Sequence, residues 1–106
     1  MTTILDRLIE VIASRRNSDT TESWTAKLLS KGPEYCARKF GEESIELIIA
    51  STNGNADEIK SEAADVIFHL LVLLESREIS LSEIFDILDK RQGMSGIEEK
   101  KSRKDS

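Results

Sequence analysis

The sequence predicts an all-α protein, a compact antiparallel bundle of about four to five helices. Its 106 residues include a single proline and five glycines, so few positions would interrupt a helix. Apolar residues recur at helical spacing along most of the chain, and no segment is predicted as a strand. A composition of 39% hydrophobic and 33% charged residues is typical of one soluble helical domain rather than of a disordered chain.

The first two helices are separated by a polar loop. Residues 3–16 place aliphatic side chains at helical spacing, which predicts the first helix. Residues 17–22 are polar and are interpreted as a loop, after which Ser23 or Thr25 can cap a short second helix. Gly32-Pro33 then ends that helix and starts the next, because glycine suits the residue after a helix and proline suits its first turn.

The third and fourth helices are predicted to form an antiparallel hairpin. The third spans about residues 34–51 and the fourth about residues 56–77, with only Asn53-Gly54-Asn55 as the connection. Gly41 lies inside the third helix, where glycine costs about 1 kcal/mol relative to alanine. This cost indicates that another backbone or a ligand approaches closely at Gly41.

A fifth helix is predicted from a capping box, Ser80-x-x-Glu83, and ends near Gln92-Gly93. The length of the chain is that of one domain. We therefore assign residues 1–93 to one helical domain. Residues 94–106, which are polar and rich in lysine and arginine, are assigned to a C-terminal arm of the same domain.

The fourth helix is apolar around nearly its whole circumference between Val66 and Leu74, apart from His69. A helix of this kind must be covered on all sides, and four other short helices in a chain of this size can hardly do so. We therefore predict a homodimer or a larger homo-oligomer. The same apolar run is far shorter than a membrane span, so no membrane association is predicted.

The net charge of −5, from 15 basic and 20 acidic side chains, is unevenly distributed. Residues 41–65 hold seven acids and one base, a net charge of −6. An acidic balance argues against a protein that binds nucleic acid. Cys36 is the only cysteine and the first residues lack the basic start of a secretory signal, so a cytoplasmic location is expected.

Acidic side chains lie three residues apart on both arms of the predicted hairpin. Glu43 and Glu46 share one face of the third helix, with Glu42 four residues before Glu46. Glu62 and Asp65 share one face of the fourth helix. If the arms pack against each other, the two pairs face each other at similar height and their carboxylates repel.

A hard divalent cation would remove this repulsion. Mg²⁺ prefers oxygen ligands, keeps several waters and binds substrate phosphates. The carboxylates therefore predict an Mg²⁺ site for a substrate that contains pyrophosphate. At this site an activated water could attack phosphorus. Glutamate pairs at this spacing are also common on solvated helix faces, so an exposed acidic surface without a metal is the alternative. The adjoining apolar segment and Gly41 favour the metal hypothesis.

Basic side chains flank the acidic segment on both sides. They lie before it at Lys27, Arg38 and Lys39, and after it at Arg91, Lys100, Lys101, Arg103 and Lys104. The segment from Arg91 to Gly96 combines a cation, two glycines and a hydroxyl, and such a turn can present backbone N–H groups to an anion. A frayed C-terminus with solvated charges is the alternative interpretation.

Four motifs give the chain its resemblance to a known family. They are SWTAKL from Ser23, KFGEESIE from Lys39, EAADVIFHLLVLL from Glu62 and RQGMSGIEEK from Arg91, followed by Arg103. On these residues, and over roughly residues 4–103, the chain resembles the phosphoribosyl-ATP pyrophosphatases. These are the histidine-pathway branch of the MazG-like all-α nucleoside triphosphate pyrophosphatases. Phe68 stands where the family usually has tyrosine, so no role for a hydroxyl is expected there.

The resemblance implies Mg²⁺-dependent hydrolysis of phosphoribosyl-ATP to phosphoribosyl-AMP and pyrophosphate, the second step of L-histidine biosynthesis. It implies that the catalytic metal ligands are Glu43, Glu46, Glu62 and Asp65. Glu42 would be a further ligand or would orient water. The residues that it assigns to substrate binding are Ser23, Trp24, Thr25, Lys27, Lys39, Arg91, Ser95, Gly96, Lys100 and Arg103.

Two other functions remain compatible with the carboxylates. One is a house-cleaning pyrophosphatase that acts on ordinary or damaged nucleoside triphosphates. The other is a non-enzymatic helical dimerisation module with an acidic surface. The Ser95-Gly96 segment favours the histidine-pathway enzyme over the house-cleaning one, because this motif separates the two branches of the family.

Overall fold

Five α-helices and one short 3₁₀ turn make up residues 3–92, the part of the chain that the computed structural model describes. In order they are α1 (Ile4–Ser14), the 3₁₀ turn (Arg15–Asn17), α2 (Trp24–Ser30), α3 (Pro33–Asn53), α4 (Ala56–Ser76) and α5 (Leu81–Arg91). No strand occurs within this range, so the all-α prediction is confirmed. The predicted C-terminal arm, residues 94–106, lies outside the described residues.

Side-chain caps start most of the helices where the sequence predicts them. The hydroxyl of Ser23, and not that of Thr25, accepts a hydrogen bond from Ala26 N at 3.1 Å and begins α2. The amide oxygen of Asn55 accepts from Glu58 N at 3.0 Å and begins α4. Each cap satisfies a backbone N–H that has no partner inside its helix.

Only Gly54 and Asn55 connect α3 to α4, because α3 continues to Asn53, two residues beyond its predicted end. Gly54 N donates to Ala50 O at 2.7 Å. A Cβ atom on Gly54 would lie 2.8 Å from that carbonyl oxygen, a distance that side chains do not tolerate. The turn therefore requires glycine at residue 54. Among the helices of residues 3–92, the predicted antiparallel hairpin forms the most extensive packing.

The hydrophobic core lies where α1, α2, the start of α3 and the second half of α4 meet. Its buried members are Ile12, Leu28, Cys36, Leu71 and Val72. The Cys36 thiol donates to Leu28 O at 3.3 Å, which joins α3 to α2. The core is thus concentrated toward one end of the α3–α4 hairpin.

One ion pair connects the 3₁₀ turn to the end of α4. Arg16 Nη2 lies 2.9 Å from Glu75 Oε1, and the same guanidinium also donates to the Glu75 backbone carbonyl. The two residues are 59 positions apart in the chain. The Arg16 side chain is 40% exposed, so the pair contributes at most about 1 kcal/mol to stability.

The apolar circumference of α4 is only partly covered by the described residues. Leu71 and Val72 are buried, whereas Ile67 is 46% exposed. None of the helices within residues 3–92 combines the length and the hydropathy needed to cross a membrane.

The turn between α4 and α5 is a Schellman motif without glycine. Ile79 N donates to Leu74 O at 3.0 Å and Glu78 N donates to Glu75 O at 3.1 Å, which is the paired pattern of this motif. Glu78 has a φ of +57°, in the left-handed region that strains a residue carrying a Cβ.

Glu78→Gly should stabilise the protein by about 1 kcal/mol, because glycine adopts this conformation without the steric cost. Urea unfolding followed by circular dichroism measures the difference. Arg77→Gly is the matched control, since Arg77 has a φ of −102° and would gain nothing from the change. A Glu78→Gly variant no more stable than the wild type would contradict the assignment of strain.

Candidate active site

Three carboxylates from two helices converge on the α3–α4 hairpin. Glu43 on α3 and Glu62 and Asp65 on α4 each offer an oxygen atom, and these atoms all lie within 4.8 Å of one another. The three-residue spacing on α4 places Glu62 and Asp65 on one face, and the antiparallel packing brings Glu43 opposite them. Three of the five acids predicted as metal ligands therefore form one cluster, named here the carboxylate cluster.

The other two predicted ligands lie outside the carboxylate cluster. Glu46 is exposed and lies beside Glu62, with which it lines a groove of about 270 Å³ between α3 and α4. Glu42 is turned to Lys39, whose Nζ lies 3.0 Å from Glu42 Oε2. Glu58 lines the same groove as Glu46 and was not predicted, although its position four residues before Glu62 places it on the same face of α4.

Glu62 is the most constrained member of the cluster. Its Oε2 atom is buried and has no hydrogen-bond partner among the described residues. Desolvation by burial raises the pKa of the Glu62 carboxyl, and the negative charges of Glu46, Asp65 and Glu43 raise it further. An electron-rich oxygen left without a donor is a position where a cation would be favourable.

The donor set fits Mg²⁺. All the converging atoms are carboxylate oxygens, the hard ligands that this ion prefers. Glu43, Glu62 and Asp65 lie close enough together to share one hard cation, and waters would supply the rest of its ligands. The unpartnered Glu62 Oε2 would gain its missing interaction there.

His69 lies one helical turn after Asp65 and is almost completely buried. Its Nδ1 atom has no hydrogen-bond partner within residues 3–92, and its ring meets that of Phe68 edge-on with centroids 5.1 Å apart. Desolvation by burial lowers the pKa of His69, although the nearby negative charge of Glu43 opposes that shift. The structure therefore favours a neutral imidazole beside the carboxylates.

The residues predicted to bind substrate are only partly brought together. Lys39 lies at the cluster, close enough for its charge to act on His69. The α2 residues lie in a separate groove of about 450 Å³, which is lined by Thr20, Thr21, Glu22, Ser23, Trp24 and Lys27 and by none of the carboxylates. Thr25 is half-buried on α2, and Arg91 ends α5. Ser95, Gly96, Lys100 and Arg103 lie outside the described residues.

Another backbone or a ligand is expected to approach Gly41; the approach of a backbone is wrong for a single copy of residues 3–92, and the approach of a ligand stays a prediction. A Cβ atom built on Gly41 would have nothing within 4 Å. The space beside α3 at this point is open, because none of the other described helices packs over that face.

The unfolding free energy of the metal-free protein should fall as the pH rises from the ordinary carboxyl range through the raised pKa of Glu62. Over that interval the folded chain holds more protons than the unfolded chain, so stability decreases with pH. Glu62→Gln removes the titrating group and should make this decrease shallower. Urea unfolding at a series of pH values in the presence of a chelator measures both slopes.

Asp57→Asn is the matched control for Glu62→Gln. Asp57 is an exposed acid in the first turn of α4, so the variant keeps every member of the carboxylate cluster and should keep the wild-type slope. Equal slopes for the wild type and Glu62→Gln would show that burial and repulsion do not raise the pKa of Glu62.

Comparison with known proteins gives a consistent result over nearly the whole chain. A family model described as phosphoribosyl-ATP pyrophosphohydrolase matches residues 5–92. A Paracoccus denitrificans protein named phosphoribosyl-ATP pyrophosphatase is 56% identical over 100 residues, which cover 94% of this chain and 93% of the relative. Proteins of the same name from Dinoroseobacter shibae and Cereibacter sphaeroides are 53% and 50% identical, each over 98% of its own length.

Proposed function

The chain belongs to the phosphoribosyl-ATP pyrophosphohydrolase family, and we propose that it hydrolyses phosphoribosyl-ATP to phosphoribosyl-AMP and pyrophosphate. This reaction would be the second step of L-histidine biosynthesis. The observation that carries the proposal is the convergence of Glu43, Glu62 and Asp65. The names of relatives that are 50–56% identical over nearly the full chain support the choice of substrate.

We assign the binding of Mg²⁺ to Glu43, Glu62 and Asp65. Bound there, the ion would neutralise phosphate oxygens of the substrate and lower the pKa of a coordinated water. Glu46 and Glu42 are the remaining family-implied ligands, and both would have to turn toward the cluster to join it.

We also assign to a carboxylate the acceptance of the proton that the attacking water loses. The water oxygen forms a bond to the phosphorus that stays in phosphoribosyl-AMP. The bond from this phosphorus to the bridging anhydride oxygen breaks, and that oxygen leaves as part of pyrophosphate. Glu46 lies beside Glu62 at the exposed edge of the site, and we assign to it acceptance of the proton that the water releases. Lys39 would compensate the negative charge of the phosphates.

The remaining substrate contacts are proposed from two segments. Trp24 exposes half of its surface beside Ser23 and Lys27, so its indole is available to stack on the adenine ring. Thr25 belongs to the same segment. Arg91, Ser95, Gly96, Lys100 and Arg103 are proposed to hold the phosphates from the C-terminal side.

We propose further that the enzyme is a homodimer or a larger homo-oligomer. Ile45, Ile48 and Ile49 on α3 and Ile67 on α4 are all large apolar side chains with about half or more of their surface exposed. Exposed apolar surface of this extent on neighbouring helices is typical of an interaction site. A cytoplasmic location accords with Cys36, which is buried as a free thiol.

An assay for pyrophosphate release with purified protein tests the proposed reaction. Release from phosphoribosyl-ATP is expected in the presence of Mg²⁺, and a chelator should abolish it. A panel of ordinary and oxidised nucleoside triphosphates serves as the alternative substrate set. Turnover of the panel without turnover of phosphoribosyl-ATP would instead identify a house-cleaning enzyme, and no turnover of either would refute both.

Glu43→Gln and Asp65→Asn should each reduce turnover of phosphoribosyl-ATP by about 100-fold or more, since each replaces a negatively charged carboxylate of the cluster by a neutral amide. The fold should survive or gain stability, because repulsion among the carboxylates decreases. Steady-state kinetics and thermal unfolding measure the two effects. Glu34→Gln on α3 and Asp57→Asn on α4 are matched controls that should keep wild-type turnover, as both residues lie outside the cluster.

A further inference from the structure

His69 is the one polar side chain in the apolar stretch of α4 between Val66 and Leu74, and it is the only histidine of the chain. Only 6% of its surface is exposed, and the ring of Phe68 meets it edge-on with centroids 5.1 Å apart. Close packing of this kind fixes the rotamer of a side chain. The imidazole is therefore held in one orientation on α4.

The two ring nitrogens of His69 lie in different surroundings. Nδ1 is buried and has no hydrogen-bond partner within residues 3–92, whereas Nε2 is not sealed off in this way. A buried polar atom without a partner costs free energy, and an apolar side chain of similar size at residue 69 would avoid that cost. The polar function of the ring therefore lies at Nε2.

Four charged side chains act on the ring of His69, and all of them lie at or beside the carboxylate cluster. In order of decreasing effect they are Glu43, Lys39, Asp65 and Glu42. Lys39 offers no acceptor, and Glu42 is already paired with it at 3.0 Å. Asp65 is exposed, whereas Glu43 is half-buried on the opposite helix. Glu43 is thus the acceptor that best suits a donor at Nε2.

We propose that His69 is a positioning residue, which donates a hydrogen bond from Nε2 to one carboxylate oxygen of Glu43 and leaves the other oxygen for the metal. A neutral imidazole suits this task, because it offers one N–H and adds no positive charge that would compete with the cation. In the structure Glu43 acts on the ring through its charge, and its side chain has the rotatable bonds needed to bring an oxygen to Nε2.

Glu43 is the member of the carboxylate cluster that most needs such a partner. It is the only one on α3, since Glu62 and Asp65 both lie on α4. Its long side chain loses conformational entropy when it is ordered. A bond from the rigidly packed ring would restrict Glu43 before the cation arrives, and hydrogen-bond partners of this kind strengthen metal binding. The inference rests on the metal site of the proposed function.

Nitrogen-15 NMR tests the proposed bond without a metal and without activity. Because the chain has one histidine, an untagged sample gives one pair of imidazole nitrogens. In a chelator and at about pH 8, above the ordinary pKa of histidine, we expect the tautomer with its proton on Nε2. Glu43→Gln should shift the Nε2 resonance more than Asp65→Asn, the matched control that removes the same charge from the cluster. A proton on Nδ1, or equal shifts in the two variants, would overturn the proposal.

Mn²⁺ binding, followed by the electron paramagnetic resonance of the free ion, tests the effect on the metal site. Glutamine carries its amide nitrogen where histidine has Nε2, and asparagine carries it where histidine has Nδ1. His69→Asn should therefore weaken Mn²⁺ binding by about 10-fold or more, whereas His69→Gln should stay close to the wild type. Val72→Ala, at a buried position later on α4, controls for a general loss of packing and should keep wild-type affinity.

Wild-type Mn²⁺ affinity in His69→Asn would overturn the proposal, and so would equal losses in His69→Asn and His69→Gln. A raised KM for phosphoribosyl-ATP at unchanged Mn²⁺ affinity would place His69 against the substrate and would overturn it as well. A wild-type protein that binds no Mn²⁺ would overturn the metal site itself, and with it the role of His69. The NMR comparison reports on the hydrogen bond alone, so the two failures can be told apart.

Discussion

Electrostatic repulsion among Glu43, Glu62 and Asp65 has to be overcome by the packing of the α3–α4 hairpin. The hairpin holds their oxygens within 4.8 Å of one another, and one oxygen of Glu62 is buried without a donor. Such an arrangement is unfavourable in the protein alone and becomes favourable when a cation is shared among the three. The helices must therefore be held together by contacts made elsewhere.

Those contacts lie at one end of the hairpin and at its turn. The buried core around Leu28, Cys36 and Val72 joins α2, α3 and α4, and the Gly54 turn, where a Cβ would collide with Ala50 O, sets the register of the two long helices. Register decides which acids face each other, because a displacement of one residue rotates a helical side chain by about 100°. The contacts that stabilise the hairpin and the carboxylates of the proposed active site therefore lie in different parts of it.

Most of the helices could be predicted from local signals. The Gly32-Pro33 boundary is found where predicted, and Ser23, one of the two predicted candidates, caps α2. The connection between the third and fourth helices lies at the predicted place but is shorter, because Asn53 belongs to α3. Arg15 and Arg16 are predicted to end the first helix and Asn17 to begin the loop, whereas the three residues form a 3₁₀ turn. α3 extends two residues further than expected. Helix ends depend on backbone hydrogen bonds that composition specifies only loosely.

Local sequence is enough to predict that acids lie three residues apart on two neighbouring helices, because helical spacing is a local property. Which of these acids meet depends on how α3 packs against α4. Glu43 reaches Glu62 and Asp65, whereas Glu42, its immediate neighbour, points to Lys39. Adjacent residues on a helix point about 100° apart, so the packing of α3 on α4 selects one of them for the cluster and leaves the other to a local ion pair.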